Sequence, residues 1–185
     1  MNRLLQFCES HLREIVETTE ALVRLESPST DKAAVDRCGV EIVSCLRRAG
    51  AEVDLLRRGE RGDHISARIP GSGRPVLLLG HFDTVWPVGT LERMPLRREG
   101  TRLHGPGTFD MKAGIAIALA AIAALRATGT AHPPIAMLWT TDEEIGSGTS
   151  RDARSGRAIV DITAAARCCA SARSLGSGIA SRCAD

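Results

Sequence analysis

Two short apolar segments, at residues 76–79 and 135–140, constrain the fold of this chain most strongly. Neither shows the alternation of apolar and polar residues that marks a strand with one solvated face, so each predicts a strand covered on both faces. The first leads into His81, and the second leads into the adjacent Glu143 and Glu144. Because open α/β sheets carry their chemistry beyond the carboxyl ends of their strands, the sequence predicts a functional site at that edge.

The polar residues near these segments are those that a divalent metal in a hydrolytic site requires. His81 offers an imidazole nitrogen, and Asp110 and Glu144 offer carboxylate oxygens. Asp83 is two residues after His81, so in an extended backbone both point the same way, and Asp83 can hold the second ring nitrogen of His81. Glu143 and Glu144 point in different directions, which allows one to bind metal while the other faces water.

Three segments carry a resemblance to a known family. They are His-Phe-Asp-Thr-Val at 81–85, Gly-Pro-Gly at 105–107 with Asp-Met-Lys-Ala-Gly at 110–114, and Thr-Asp-Glu-Glu-Ile-Gly-Ser at 141–147. They resemble the N-terminal motifs of the di-zinc metallopeptidases that include glutamate carboxypeptidase, aminoacylase, acetylornithine deacetylase and succinyl-diaminopimelate desuccinylase. The continuation at 85–91 is most similar to the glutamate carboxypeptidase branch, and the resemblance covers about residues 5–151.

The resemblance implies a role for each of these residues. His81 binds one zinc ion, Asp110 bridges two, and Glu144 binds the second, with cobalt or manganese as alternative metals. Asp83 orients His81, and Glu143 is the general base that activates water. The family also has an acidic ligand beyond the Glu-Glu motif and a histidine ligand near the C-terminus. Neither has a counterpart here, because all five histidines precede residue 133 and no Glu follows Glu144.

The predicted fold class is α/β, with a mixed, largely parallel sheet and helices on both faces. Residues 1–151 are expected to form the N-terminal part of a zinc-exopeptidase-like catalytic domain. Residues 152–185 contain mainly Ala, Arg, Ser and Gly, with three cysteines and no Lys, Glu or aromatic residue. This composition indicates an aberrant low-complexity tail, of the kind that translation out of frame produces. The lid and dimerisation domain that the resemblance implies is absent from this sequence.

Smaller elements follow from local patterns. A first helix is expected from Leu5 to near Leu25, and a second one, capped by Thr30 or Asp31, ends before Gly50. Residues 27–30 are interpreted as a helix breaker. Alternation at 51–55 and 65–69 predicts two strands with one solvated face each, of which His64 would be an ordinary residue. The loop at 86–104 is expected to contain a hairpin that pairs 96–98 with 102–104, and a helix is expected over 111–128.

Composition excludes several classes of partner. The 24 basic and 22 acidic residues give a net charge of +2, too balanced to indicate binding to nucleic acid or to an anionic membrane. The N-terminus becomes charged before a signal-peptide core can form, and no run is expected to span a bilayer, so a cytoplasmic protein is predicted. The six cysteines form no C-x-x-C pair, which favours reduced thiols.

Three functional hypotheses remain open at this stage. The first is a metal-dependent amidohydrolase or carboxypeptidase that acts on a small peptide or N-acyl amino acid and, like many relatives, assembles as a homodimer. The second is a truncated, inactive fragment of such an enzyme with at most partial metal binding. The third, ranked last, is a thiol-based module built on Cys168, Cys169 and Cys183. His104 is an alternative metal ligand near Asp110, although a loop role is favoured.

Overall fold

A computed structural model describes residues 2–151 of the 185-residue chain, so the tail predicted at 152–185 lies outside the described residues. The helices are α1 (Arg3–Ser10), α2 (Leu12–Arg24), α3 (Lys32–Arg48), α4 (Thr90–Arg93) and α5 (Ala113–Thr128). The strands are β1 (Glu52–Leu56), β2 (His64–Ile69), β3 (Val76–His81), β4 (Arg97–Glu99), β5 (Arg102–His104) and β6 (Ile135–Thr140). A π-helical turn at Thr108–Lys112 precedes α5, and a 3-10 turn at Glu143–Ile145 follows β6.

The main sheet has the strand order β1-β2-β6-β3. Strands β1 and β2 pair antiparallel, as do β2 and β6, whereas β3 runs parallel to β6. In this parallel pair His81 lies opposite Thr140, so the carboxyl ends of β3 and β6 meet at the same edge. The mixed α/β class predicted from the sequence is confirmed. The predicted hairpin is also confirmed, since β4 and β5 pair antiparallel with Arg97 opposite His104.

The hydrophobic core lies between one face of the sheet and helices α2, α3 and α5. Strands β2 and β6 present alternate residues to it, because side chains two positions apart share a face of a strand. Fully burying each large aliphatic side chain stabilises the fold by about 1.5–3 kcal/mol. The principal members of the core are Leu22, Ile42, Leu46, Ile65, Ala67, Phe82, Ile115, Ile122, Met137 and Trp139.

The solvent exposure of two strands differs from the expectation. Strand β2 was expected to have one solvated face, but its residues are almost all buried. Strand β3 was expected to be covered on both faces, but Val76 is 44% exposed and Leu79 is 50% exposed. The reason is their position in the described sheet, where β2 is an interior strand and β3 is at the edge. Apolar composition alone does not predict that position.

The expected single helix from Leu5 to near Leu25 is divided into α1 and α2 at His11. The ring of His11 stacks on Phe7 with centroids 3.8 Å apart, and its Nδ1 lies 2.8 Å from the carbonyl oxygen of Phe7. Ser10 Oγ also donates to that carbonyl, so side chains compete with the backbone for helix hydrogen bonds at this point. Helix α3 ends before Gly50 as predicted, and Asp31 caps it by accepting from the backbone N–H of Ala34. The helix expected over 111–128 begins instead at Ala113, because the backbone at Met111 is not helical.

The segment Thr108–Thr128 corrects the expectation that no run could span a bilayer, because its 21 residues are long and apolar enough by length and composition. It is not one regular helix, since Asp110 and Met111 have non-helical backbone angles. Residues Ile115 and Ile122 of α5 are buried in the core described above. Packing against the sheet and the neighbouring helices accounts for these two residues, whereas Ile117 of the same helix is 60% exposed.

Candidate metal centre

The site lies where β3 and β6 end side by side. His81 is the last residue of β3, and the chain leaving β6 turns within three residues into the 3-10 turn that contains Glu143 and Glu144. Asp110 reaches the same edge from the π-helical turn that precedes α5. The peptide bond between Asp110 and Met111 is cis. Parallel pairing thus brings together two motifs that are about 60 residues apart in the sequence.

The three predicted metal ligands converge. One ligand atom each from His81, Asp110 and Glu144 lies within 4.8 Å of the others, and the Nε2 of His81 is 3.0 Å from Oδ1 of Asp110. Glu143 is adjacent, with its Oε2 3.9 Å from the same Nε2. The imidazole is buried, whereas the Asp110 carboxylate is largely exposed. The centre is therefore open to solvent on the carboxylate side.

Asp83 connects His81 to the turn that carries the glutamates. Its Oδ1 lies 3.3 Å from Nδ1 of His81, and its backbone carbonyl oxygen lies 3.2 Å from the same nitrogen with hydrogen-bond geometry. Its Oδ2 accepts from the backbone N–H of Glu144 at 3.2 Å and from the hydroxyl of Ser29 at 2.6 Å. The Asp83 side chain is fully buried, yet its Oδ1 has no hydrogen-bond donor of good geometry in the described part of the chain.

The electrostatics of the cluster favour a bound cation. Burial lowers the pKa of His81, but the carboxylates of Asp83 and Asp110 outweigh it, and the pKa rises to about 9. Burial and the negative charge of Asp110 raise the pKa of Glu144 above its usual value. An imidazole and two carboxylates whose ligand atoms lie within 4.8 Å of one another fit the donor set of a divalent metal.

A short segment between α2 and α3, residues 25–29, holds the backbone of the first motif. The carbonyl of Ser27 accepts from the backbone N–H of Thr84 at 2.8 Å, and the hydroxyl of Ser27 donates to the carbonyl of Phe82 at 2.6 Å. Glu26 accepts from the backbone N–H groups of Gly89 and Leu91. With the Ser29–Asp83 hydrogen bond, this segment contacts both sides of the predicted orienting carboxylate.

Sequence reasoning missed the functional importance of this 25–29 segment. The overlapping Ser-Pro-Ser-Thr pattern at residues 27–30 is a local breaker signal and falls between two helices, as predicted. The side chains of Ser27 and Ser29 bond to residues 55 and 54 positions further along the chain, and Glu26 bonds to residues 63 and 65 positions further. A turn pattern contains no information about such distant partners, so only the three-dimensional structure reveals them.

A second buried polar network shapes the turn after β6. His64, predicted to be an ordinary strand residue, is fully buried, with Nδ1 3.0 Å from Thr141 Oγ1 and Nε2 3.3 Å from Thr149 Oγ1. Asp142 accepts from the backbone N–H groups of Thr149 and Ser150. Burial raises the pKa of Asp142, but these hydrogen bonds outweigh it and lower the pKa below its usual value. The network braces the loop that carries Glu143 and Glu144.

The alternative ligand His104 is not among the residues that converge. It ends β5, and its Nε2 lies 3.4 Å from Oε2 of Glu99 in the same hairpin. The metal-capable group found among residues 2–151 does not include it. Cys168, Cys169 and Cys183, on which the thiol hypothesis depends, lie outside the described residues.

An α/β sheet with an imidazole and several carboxylates at the carboxyl ends of two parallel strands is the arrangement of a metallopeptidase catalytic domain. A family model described as Peptidase family M20/M25/M40 matches residues 77–172. The chain belongs to this family, whose metallopeptidases use metal ions. The match includes all five predicted site residues and continues beyond residue 151 into the segment that the sequence predicts to be aberrant.

Individual relatives agree with this assignment. The chain is 34% identical to carboxypeptidase G2 of Pseudomonas sp. (strain RS-16) over 155 residues, which is 82% of this chain and 37% of that protein. It is 33% identical to succinyl-diaminopimelate desuccinylase of Xylella fastidiosa (strain 9a5c) over 141 residues, which is 72% of this chain and 36% of that protein. The chain therefore spans little more than a third of the length of these relatives.

Solved structures show the same fold. Human carnosine dipeptidase 1 matches with a TM-score of 0.71 and 24% sequence identity, over 79% of this chain and 35% of that one. At this identity the likeness concerns the fold alone. It confirms that the described sheet and helices have the architecture of a metallopeptidase catalytic domain.

The geometry of Asp83 yields a testable prediction. Replacing Asp83 with Ala should weaken zinc binding by about 10–100-fold, because the carboxylate beside Nδ1 of His81 is lost but no metal–ligand bond is removed. Equilibrium dialysis against Zn²⁺ measures the change, with Asp54→Ala on the exposed part of β1 as the matched control. A loss as complete as that caused by His81→Ala would instead make Asp83 a direct ligand, and an unchanged affinity would make it purely structural.

Proposed function

We propose that the intact protein containing this chain is a zinc-dependent hydrolase of amide or peptide bonds, of the carboxypeptidase or N-acyl-amino-acid amidohydrolase type. The observation that carries this proposal is the convergence of His81, Asp110 and Glu144 within 4.8 Å at the carboxyl ends of β3 and β6. Membership of the peptidase family supports the reaction class. The names of the two relatives, a carboxypeptidase and a desuccinylase, support a small substrate with an amide bond.

The donor set supports zinc, with cobalt or manganese as alternatives. Following the family resemblance, His81 would bind one ion, Glu144 a second, and Asp110 both. Bound zinc supplies two effects, a lower pKa for water and polarisation of a carbonyl oxygen. Asp83 would keep the ring of His81 in the orientation that presents Nε2 to the centre, since its carboxylate lies on the opposite, Nδ1 side of the ring.

Glu143 is proposed as the general base. Its carboxylate is half exposed, in contrast to the fully buried Asp83, and lies 3.9 Å from His81 Nε2 at the solvent side of the centre. It would take a proton from water as the new bond from oxygen to the carbonyl carbon forms. The same proton would pass to the leaving amine as the carbon–nitrogen bond breaks, so Glu143 returns to its starting state.

For the intact protein we propose only a class of substrate, a homodimeric assembly and a cytoplasmic location. A peptide or an N-acyl amino acid fits the reaction class, and the balanced net charge of +2 argues against nucleic acid or an anionic membrane as the partner. Homodimer formation by the intact protein follows from the family resemblance. The cytoplasmic location stays a prediction from the sequence.

A second candidate concerns the 185-residue polypeptide by itself, which we propose is inactive and binds metal only partially. The supporting observation is that its sequence supplies three of the metal ligands that the resemblance implies, with no histidine after His132 and no Glu after Glu144. The two remaining ligands have no counterpart, so the metal would be poorly held. The altered tail predicted at 152–185 is part of this hypothesis.

Activity of the isolated chain tests the second candidate. Purified polypeptide with added Zn²⁺ should not hydrolyse N-acyl amino acids, because the incomplete ligand set does not hold two ions in place. Amine release and zinc stoichiometry are the two measurements. Tight binding of two zinc ions together with steady turnover would contradict this candidate and leave the first one standing.

A substitution separates the roles of the two adjacent glutamates. In a longer polypeptide that supplies the two further ligands, Glu143→Gln should leave zinc content near its original value and lower turnover by about 10²–10⁴-fold, because a proton acceptor is lost but no ligand is. Glu99→Gln in the exposed β4–β5 hairpin is the control. If the Glu143 variant lost zinc but kept its activity per metal ion, the assigned roles of Glu143 and Glu144 would be exchanged.

A further inference from the structure

Lys112 is a buried lysine only two residues after the metal-centre residue Asp110. It is 1% exposed, and its Nζ donates to the carbonyl oxygens of Leu22 and Leu25, each at 2.9 Å. These carbonyls belong to the C-terminal end of α2, where the helix dipole favours a positive charge. No carboxylate forms an ion pair with Lys112 among the residues that the structure describes. Its charge is therefore directed at the end of this helix.

Asp110 receives little support from its own surroundings. Its side chain is 69% exposed, and the preceding Phe109 is 94% exposed. The backbone angles of Asp110 and Met111 are not helical, so the regular hydrogen bonds of α5 do not hold this position. Besides its contact with Nε2 of His81, the location of the Asp110 carboxylate therefore depends on the attachments of the residues that follow it.

Two neighbouring side chains provide those attachments. The sulfur of Met111 accepts from the backbone N–H of His81 at 3.2 Å, and its methyl group lies 2.6 Å from where a Cβ at Gly80 would be. Met111 thus ties the loop to β3, and Lys112 ties it to α2. The backbone N–H of Lys112 also donates to the carbonyl of Gly107, which closes the loop that contains Asp110.

We infer that Lys112 is a positioning residue for Asp110. Its ammonium group joins the loop to the end of α2, and this attachment keeps Oδ1 of Asp110 at 3.0 Å from Nε2 of His81. The carbonyl of Leu25 belongs to the same 25–29 segment that holds Asp83 through Ser29. One short stretch of backbone therefore positions both a metal ligand and the partner that orients His81. The inference rests on the proposed metal centre.

A purely structural role for Lys112 would have different consequences. Removing the buried ammonium takes one donor from each of the Leu22 and Leu25 carbonyls, although Leu22 still accepts from the backbone N–H of Leu25, and this loss lowers the free energy of unfolding whatever the site does. A positioning role additionally changes how metal is held in protein that remains folded. The chain offers a matched comparison, because Lys32 is its only other lysine and bonds to Asp36 and Asp63, outside the metal-capable group.

The test compares Lys112→Met with Lys32→Met in the 185-residue chain. Both remove an ammonium and keep an unbranched side chain. Urea denaturation reports the stability of each variant, equilibrium dialysis reports Co²⁺ affinity, and the visible spectrum of bound Co²⁺ reports ligand geometry. Lys112→Met should lower affinity by about 10–100-fold and change the spectrum, whereas Lys32→Met should alter neither. A folded Lys112→Met protein with unchanged affinity and spectrum would overturn the inference.

Amine labelling of the unsubstituted chain gives a second measurement that does not depend on how a variant folds. Reductive methylation followed by mass spectrometry should modify Lys32 readily and Lys112 slowly, because only Lys32 is partly exposed. Added Zn²⁺ should slow modification of Lys112 further, because metal bound by Asp110 keeps the loop closed on α2. Bound zinc without any added protection of Lys112 would reject the positioning role alone. Absence of zinc binding both in this chain and in a longer polypeptide that supplies the two further ligands would reject the proposed metal centre and this inference with it.

Discussion

The parallel pairing of β3 with β6 places His81 beside the chain that leads to Glu143 and Glu144. Because the side chains of a strand alternate between faces, a shift of one residue in this pairing would turn the imidazole away from the glutamates. Alternate residues of β6 pack into the core, and β6 also pairs with β2, which helps to fix the register. The chemistry of the site therefore depends on a backbone arrangement that is determined mainly by core packing.

The 25–29 segment adds hydrogen bonds that hold the residues around the metal centre, which the pairing of strands in the sheet does not provide. It contacts the backbone on both sides of Asp83, binds the carboxylate of Asp83 through Ser29, and accepts the ammonium of Lys112 through Leu25. These bonds lie in or near the protein interior, where an unpaired polar group costs about 1–3 kcal/mol. Breaking one of them is thus costly, and the ligands of the centre are held by a connected polar framework rather than by separate contacts.

The strand-end position of His81, Glu143 and Glu144 was predictable from the sequence because apolar runs and the residues that follow them are adjacent in the chain. The mixed α/β class and the hairpin were predictable for the same reason. The role of Ser29 and the anchoring of Lys112 were not, since their partners are 54 and 87–90 residues away and no local pattern identifies them. The exposure of β3 was also wrongly predicted, because composition does not reveal which strand is at an edge.

X-ray absorption at the zinc edge of the zinc-loaded chain tests the proposed centre most directly. Ligation by His81, Asp110 and Glu144 predicts a first coordination shell of nitrogen and oxygen at about 2.0–2.2 Å with no sulfur. In the His81→Ala variant, the part of the zinc absorption signal that comes from imidazole should be lost. A shell of sulfur at about 2.3 Å would place the metal on cysteines and contradict the account.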